Sequence, residues 1–258
     1  DAAKIMGRDD RKYGDHSGNR VLCRFYNHGS IGDQSSSFSG VYPIGSGHSY
    51  IWEFSPVVAA SVVDTNGFRR HIVSDGISGL VDASPEGTPW SFEPLSGYSN
   101  PNQENLAMSD NENSWPNSWP NRTEDWNGEW NGQYGKYVRA DQESYFVVDD
   151  RYNSEFEFWP DQNDIPEDPT VSPDEHRRGL GIEMEARGYQ WNHPAAEDII
   201  IVTYWITNVG SSVLDSVVFG MYGDADIGGA SSFSDDDAWF DTENDMVYQW
   251  DHDNWSSS

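Results

Sequence analysis

Residues 198–207 read DIIIVTYWIT, a run of β-branched and aromatic side chains without glycine or proline. Branched Cβ atoms and large rings lose rotamers against a helical turn and pack well on a pleated surface, so this run demands a strand. Residues 208–212 (NVGSS) supply turn chemistry, and residues 213–222 repeat the strand signal, which predicts a hairpin. The second strand opens into Asp224-Ala225-Asp226-Ile227-Gly228-Gly229. A β-scaffold that delivers two carboxylates into a glycine-rich loop is the tightest constraint in the sequence.

No stretch carries the 3.6-residue period of an amphipathic helix. Further strands are expected at residues 21–26, 49–54, 56–63, 68–74, 142–149, 179–187 (half-exposed, continued by 189–191) and 246–250. Asp64-Thr65-Asn66-Gly67 predicts a tight hairpin, because Asn and Gly accept the positive φ such turns need. The fold class is therefore all-β: an antiparallel, two-sheet, sandwich-like fold with long irregular loops rich in Trp, Asn and Pro. Residues 1–20, polar and aperiodic, read as an extended or disordered arm, and residues 21–258 as one β-rich domain. Residues 75–135 contain little regular pattern. Structureless loops of that length are rare inside compact domains, so their tryptophans are expected to pack on the core or to form the functional surface. Residues 161–174, acidic with three prolines, read as an excursion.

Charge narrows the partners. There are 44 Asp and Glu against 15 Lys and Arg, a formal −29. After Arg187 no Lys or Arg occurs, while 13 acidic residues do. Such density repels itself unless cations, salt or a basic surface relieve it. Nucleic acid is disfavoured, since no basic stripe could neutralise phosphates. Asp outnumbers Glu 28 to 16, and short carboxylates in loops suit Ca²⁺, which takes six to eight oxygens. Asp224 and Asp226, spaced D-x-D-x-G, followed by Asp235, Asp237, Asp241 and Asp245, are the candidate ligands. Asp236, Asn244, Asp251, Asp253 and Asn254 lie in the same acidic region. The Glu that closes a helix–loop–helix Ca²⁺ loop is missing.

Trp115, Trp119, Trp126 and Trp130 stand in Asn- and Gly-rich surroundings (NSWPNSWP, then WNGEWNG). They suit a glycan surface or a subunit interface, and equally a core cover, because aromatic rings carry large apolar area. No catalytic constellation rises above the acidic background: any two carboxylates could be paired on paper, and the seven histidines lack metal-ligand spacing. The lone Cys23 is expected to be a buried free thiol. No run of 18 apolar residues exists, so no membrane-spanning helix is expected. Asp1 reads as a processed or trimmed start, and the end at Ser258 as a point inside a longer polypeptide.

The stretches GVYPIGSGHSYIWEF, NSWPNSWP, RADQESYFVVDDR, YQWNHPAAEDIIIVTYWITN and VVFGMYGDADIGG resemble uncharacterised large secreted or cell-surface proteins of Bacteroidetes-type bacteria, associated with type IX secretion. The resemblance implies export and surface display and carries no site residues. Together these readings predict an extracellular, Ca²⁺-stabilised structural or adhesive protein, assembling with copies of itself or with other surface proteins. The alternative is a carbohydrate-binding module or glycan-processing enzyme that engages polysaccharide through the 115–130 tryptophans.

Overall fold

The computed structural model describes residues 10–32, 38–78, 83–85, 87, 90–161, 176–227 and 235–252. The described chain is built from twelve strands: β1 (Tyr13–His16), β2 (Cys23–Tyr26), β3 (Glu53–Val63), β4 (Arg69–Asp75), β5 (Glu93–Pro94), β6 (Ala107–Met108), β7 (Gln142–Asp149), β8 (Ile182–Gln190), β9 (Ile201–Asn208), β10 (Asp215–Asp224), β11 (Asp236–Asp241) and β12 (Met246–Asp251). Every strand pair is antiparallel. One sheet runs β5-β7-β8-β9, with β6 sharing the β5 edge of β7; a second runs β10-β3-β4. The hairpins β1-β2 and β11-β12 complete the described strands.

The expected all-β, two-sheet fold is thus present. Between the two sheets lie Val58, Ala60 and Val62 of β3, Ile72 of β4, Phe146 and Val148 of β7, and Ile182, Met184 and Ala186 of β8. Cys23 and Phe25 of β2 join the same core. Cys23 is a buried free thiol, which burial pushes up to about 12. The hairpin at residues 64–67 forms as its sequence requires. Asp64 Oδ1 accepts from the amides of Asn66 (2.9 Å) and Phe68 (2.8 Å), and Gly67 takes a φ of 81°.

Several expectations need correction. The strands expected at 49–54 and 56–63 merge into the single eleven-residue β3, which runs through Pro56. Proline survives there because its carbonyl, and therefore its missing N–H, faces Gly76, just beyond the last β4 residue paired with β3. Residues 198–222 do not make a hairpin. β9 pairs with β8 at the edge of one sheet, whereas β10 pairs with β3 at the edge of the other. The turn at 209–214 therefore crosses the sandwich, and Tyr204 meets Phe219 across it at 5.4 Å. β8 is less exposed than expected: only Glu183 and Glu185 are half-exposed within it. The arm expected at 1–20 is, over its described residues 10–20, part of the fold. Tyr13–His16 pairs with β2, and three arginines nearby already have carboxylate partners: Arg11 with Glu93, Arg20 with Asp198 and Arg24 with Asp15. Residues 1–9 and most of the 161–174 excursion lie outside the described residues.

β7 is buried at all eight positions. Its even residues face the sandwich core. Its odd residues face a second cluster of Ala107, Trp119, Trp130, Tyr145 and Val147, flanked by Leu95, Tyr98, Trp115 and Trp126. The loop tryptophans therefore form a lid on the outer face of β7. Trp130 meets Trp115 at 5.4 Å and Trp119 at 6.0 Å, and its indole N–H donates to the buried Glu143 at 2.7 Å. Glu143 also accepts from the Arg139 and Ala140 amides, so its burial is compensated. On the core side, His16 packs on Phe25 and bonds Ser144 at 2.8 Å. A Cβ on Gly188 would stand 2.7 Å from both His16 Nε2 and Ser144 Oγ, so only glycine lets these layers close.

Two outcomes follow. Trp130→Ala should destabilise the protein by about 3–5 kcal/mol in urea unfolding, since it empties the centre of the lid and strips a donor from Glu143. Burial depresses His16 from 6.5 to about 3, so it is neutral in the fold. The unfolded chain then binds the extra proton, and this contribution is lost as pH falls from 6.5 towards 3. His16→Gln should lose less stability than the parent between pH 6.5 and 4.5 in paired melts; equal losses would contradict the assignment.

Candidate cation site

β10 ends where the acidic region begins. Asp224 is its last residue and stands opposite Glu53 of β3. Glu53 is buried, and its Oε1 accepts from Ser30, Ser55 and Ser78 hydroxyls and from the Ser78 amide. Asp226, two residues on, is also buried. The chain returns at β11, whose first residue Asp236 holds the Ile227 amide through Oδ2 at 3.0 Å. Asp236 is paired across the hairpin with Asp251, the last residue of β12. Five carboxylates thus gather where the β10-β3 edge meets the base of the β11-β12 hairpin.

Several physical facts point at the same corner. Like charges directly opposite in a ladder are destabilising, and here two such pairs, Asp224 with Glu53 and Asp236 with Asp251, lie side by side. Burial, then the charges of Asp224 and Asp236, pushes Asp226 up to about 6. Asp236 is raised as well, first by burial and then by Asp251, Asp235 and Asp224 among its neighbours. Asp236 Oδ1 is buried with no hydrogen-bond partner. A carboxylate oxygen shut away from water and from donors is costly to leave so, and it is the kind of hard oxygen a divalent cation takes. Among the described residues no three acidic, His or Cys side chains already converge as a cage. A cation would draw the carboxylates of Asp224, Asp226, Asp236 and Asp251 inward.

The sequence-predicted ligands divide. Asp224 and Asp226 lie at the corner, and Asp235 adjoins it, its carbonyl accepting from the His252 amide at 3.1 Å. Asp237 faces His252 Nδ1 at 2.8 Å. Asp241 and Asp245 are at the opposite end of the hairpin, roughly 17 Å away along a six-residue strand. Asp241 organises that turn, its Oδ1 accepting from the Glu243 and Asn244 amides, and the Asn244 side chain foremost holds its pKa down. The acidic loop expected here is in part strand, because Ala238-Trp239-Phe240 pairs with Val247-Tyr248-Gln249. Gly228 of the D-x-D-x-G pattern lies outside the described residues. Glu53 escaped sequence reasoning, since nothing local ties it to residues 170 positions later.

The four tryptophans serve first as a core cover. Trp119 and Trp130 are 2% exposed, and Trp115 and Trp126 are half-buried beside them. Burying Trp119 and Trp130 against Tyr145 and Val147 is what closes the outer face of β7, so these two rings are not offered to a ligand.

No protein-family model matches the chain, and neither a curated protein nor a solved structure is significantly similar to it.

Calcium at about 100 times its dissociation constant should stabilise the protein by about 2.7 kcal/mol, roughly 5–10 °C in a melt of a chain this size. Asp236→Asn should abolish that increment. In EDTA the same variant should melt at or above the parent, because it removes one of the repelling charges. An unchanged melting temperature on adding Ca²⁺ to the parent would remove the site.

Proposed function

We propose that the protein is an extracellular β-sandwich module, stabilised by a divalent cation, with a structural or adhesive role at the cell surface. The observation that carries this reading is the carboxylate corner at Asp224, Asp226, Asp236 and Asp251, where the end of β10 meets the base of the β11-β12 hairpin and Asp236 accepts from the Ile227 amide. Weak, loop-borne Ca²⁺ sites are the kind extracellular modules use, where dissociation constants near 10⁻⁴–10⁻³ M are matched to their surroundings. The resemblance proposed from the sequence stretches implies the same setting.

Self-assembly is the role the hairpin supports. A lone two-stranded hairpin is marginal in water. This one exposes Trp239, Phe240, Val247, Tyr248 and Trp250, and the adjacent β10 exposes Val217, Val218, Phe219 and Met221. Apolar area of that density on an otherwise highly charged chain marks a contact surface. Among the described residues β11 and β12 pair only with each other, so their outer edges are open to strand addition. The occupant is a second copy, joined hairpin to hairpin, with cations offsetting the like charge of the two acidic ends. Sedimentation velocity in Ca²⁺ should reveal dimers or larger species that revert to monomer on Trp239→Ser with Val247→Ser. A strictly monomeric parent at high concentration would defeat the assembly reading.

A further inference from the structure

The tryptophan lid covers β7 but stops short of β8 and β9. Beside its edge is a groove of about 410 Å³ lined by Arg122, Gln133, Tyr134, Glu185, Arg187, Thr203, Tyr204 and Trp205. The ladder fixes its floor. On the outer face Glu185 stands opposite Trp205 and Arg187 opposite Thr203. Arg122, Gln133 and Tyr134 form the wall, carried by the lid. Trp205 on the edge strand is 70% exposed and Tyr134, with the Arg139 guanidinium over its ring, is 68% exposed, so two large side chains flank the groove.

The polar groups between them are held in place. The buried Arg187 donates to the Asn131 carbonyl, and its guanidinium lies over the Tyr145 ring at 3.8 Å. Arg122 donates through Nε to Asn131 Oδ1 at 2.8 Å and lies over Trp126 at 4.7 Å. Glu185 Oε2 accepts from the Tyr145 hydroxyl at 2.9 Å and lies 4.0 Å from the Arg187 guanidinium, which leaves Arg122 as the cation without a carboxylate in the lining. Two guanidiniums and one carboxylate give this groove a net positive lining, on a chain of formal charge −29. Fixed guanidiniums pair with carboxylate or sulfate in two-pronged geometry. Exposed rings stack on flat apolar faces, and Gln133, Thr203 and Glu185 supply hydroxyl partners.

The geometry points to a binding site for an acidic saccharide, one sugar ring lying against Trp205 with its carboxylate or sulfate directed to Arg187 and Arg122. This site is separate from the carboxylate corner and does not rest on the module's proposed role. It also uses none of the four tryptophans of the lid except as a support for Arg122.

Isothermal titration calorimetry with hexagalacturonate, and with cellohexaose as the uncharged control, tests it. Hexagalacturonate should bind, about tenfold or more tighter than cellohexaose, and should weaken as salt rises. Trp205→Ala, at an exposed position, should leave the melting temperature unchanged and weaken binding about tenfold or more. Arg122→Gln should reduce the preference for the acidic ligand while keeping binding to the aromatic ring. No binding of hexagalacturonate, equal binding of both sugars, or unaltered binding by Trp205→Ala would overturn the proposal.

Discussion

The structure depends on one strand being buried on both faces. β7 gives Phe146 and Val148 to the core between the sheets and Tyr145 and Val147 to the tryptophan lid. At about 25 cal/mol per Å² of apolar surface, rings the size of Trp119 and Trp130 are among the largest contributions any residue can make. The lid therefore gives a loop-rich chain a second hydrophobic layer. It also sets where the surface opens. Because the lid stops short of β8, the outer face of β8-β9 is left as a groove between Tyr134 and Trp205.

At the other end of the sandwich the governing term is charge. Arg11, Arg20 and Arg24 near the N-terminus pair with carboxylates, and no Lys or Arg follows Arg187. Across the ladders Asp224 stands opposite the hydrogen-bonded Glu53, and Asp236 opposite Asp251. Apolar burial does not compensate this, because the β11-β12 hairpin is exposed over most of its length. The proposed cation would turn the repulsion at its base into cohesion and join a marginal hairpin to a well-packed sandwich.

Much of the fold was legible in the sequence where a local signal decides the outcome. Asn66-Gly67 set a turn that only a hairpin satisfies, and QESYFVVD at 142–149 matched β7 residue for residue. Sheet membership was not legible. A turn such as NVGSS serves equally for a hairpin or for a crossing between sheets, and only the long-range pairing of β10 with β3 separates the two. The same limit hid which tryptophans meet solvent. Trp205, inside the most apolar run of the chain, lies on an edge strand and is exposed, whereas Trp119 and Trp130, in polar loops, are buried. Of the acidic corner, Asp224 and Asp226 were recognisable from their spacing. Asp241 and Asp245 share their composition but sit at the far turn, which composition cannot distinguish.

Hydrogen–deuterium exchange across residues 246–251, in Ca²⁺ and in EDTA, tests the cation account most directly. These amides belong to a hairpin with few buried contacts, so their protection reports what secures its base. Slower exchange in Ca²⁺ than in EDTA, confined to β10-β12 and absent in Asp236→Asn, is the expected result. Identical exchange in both conditions would contradict it.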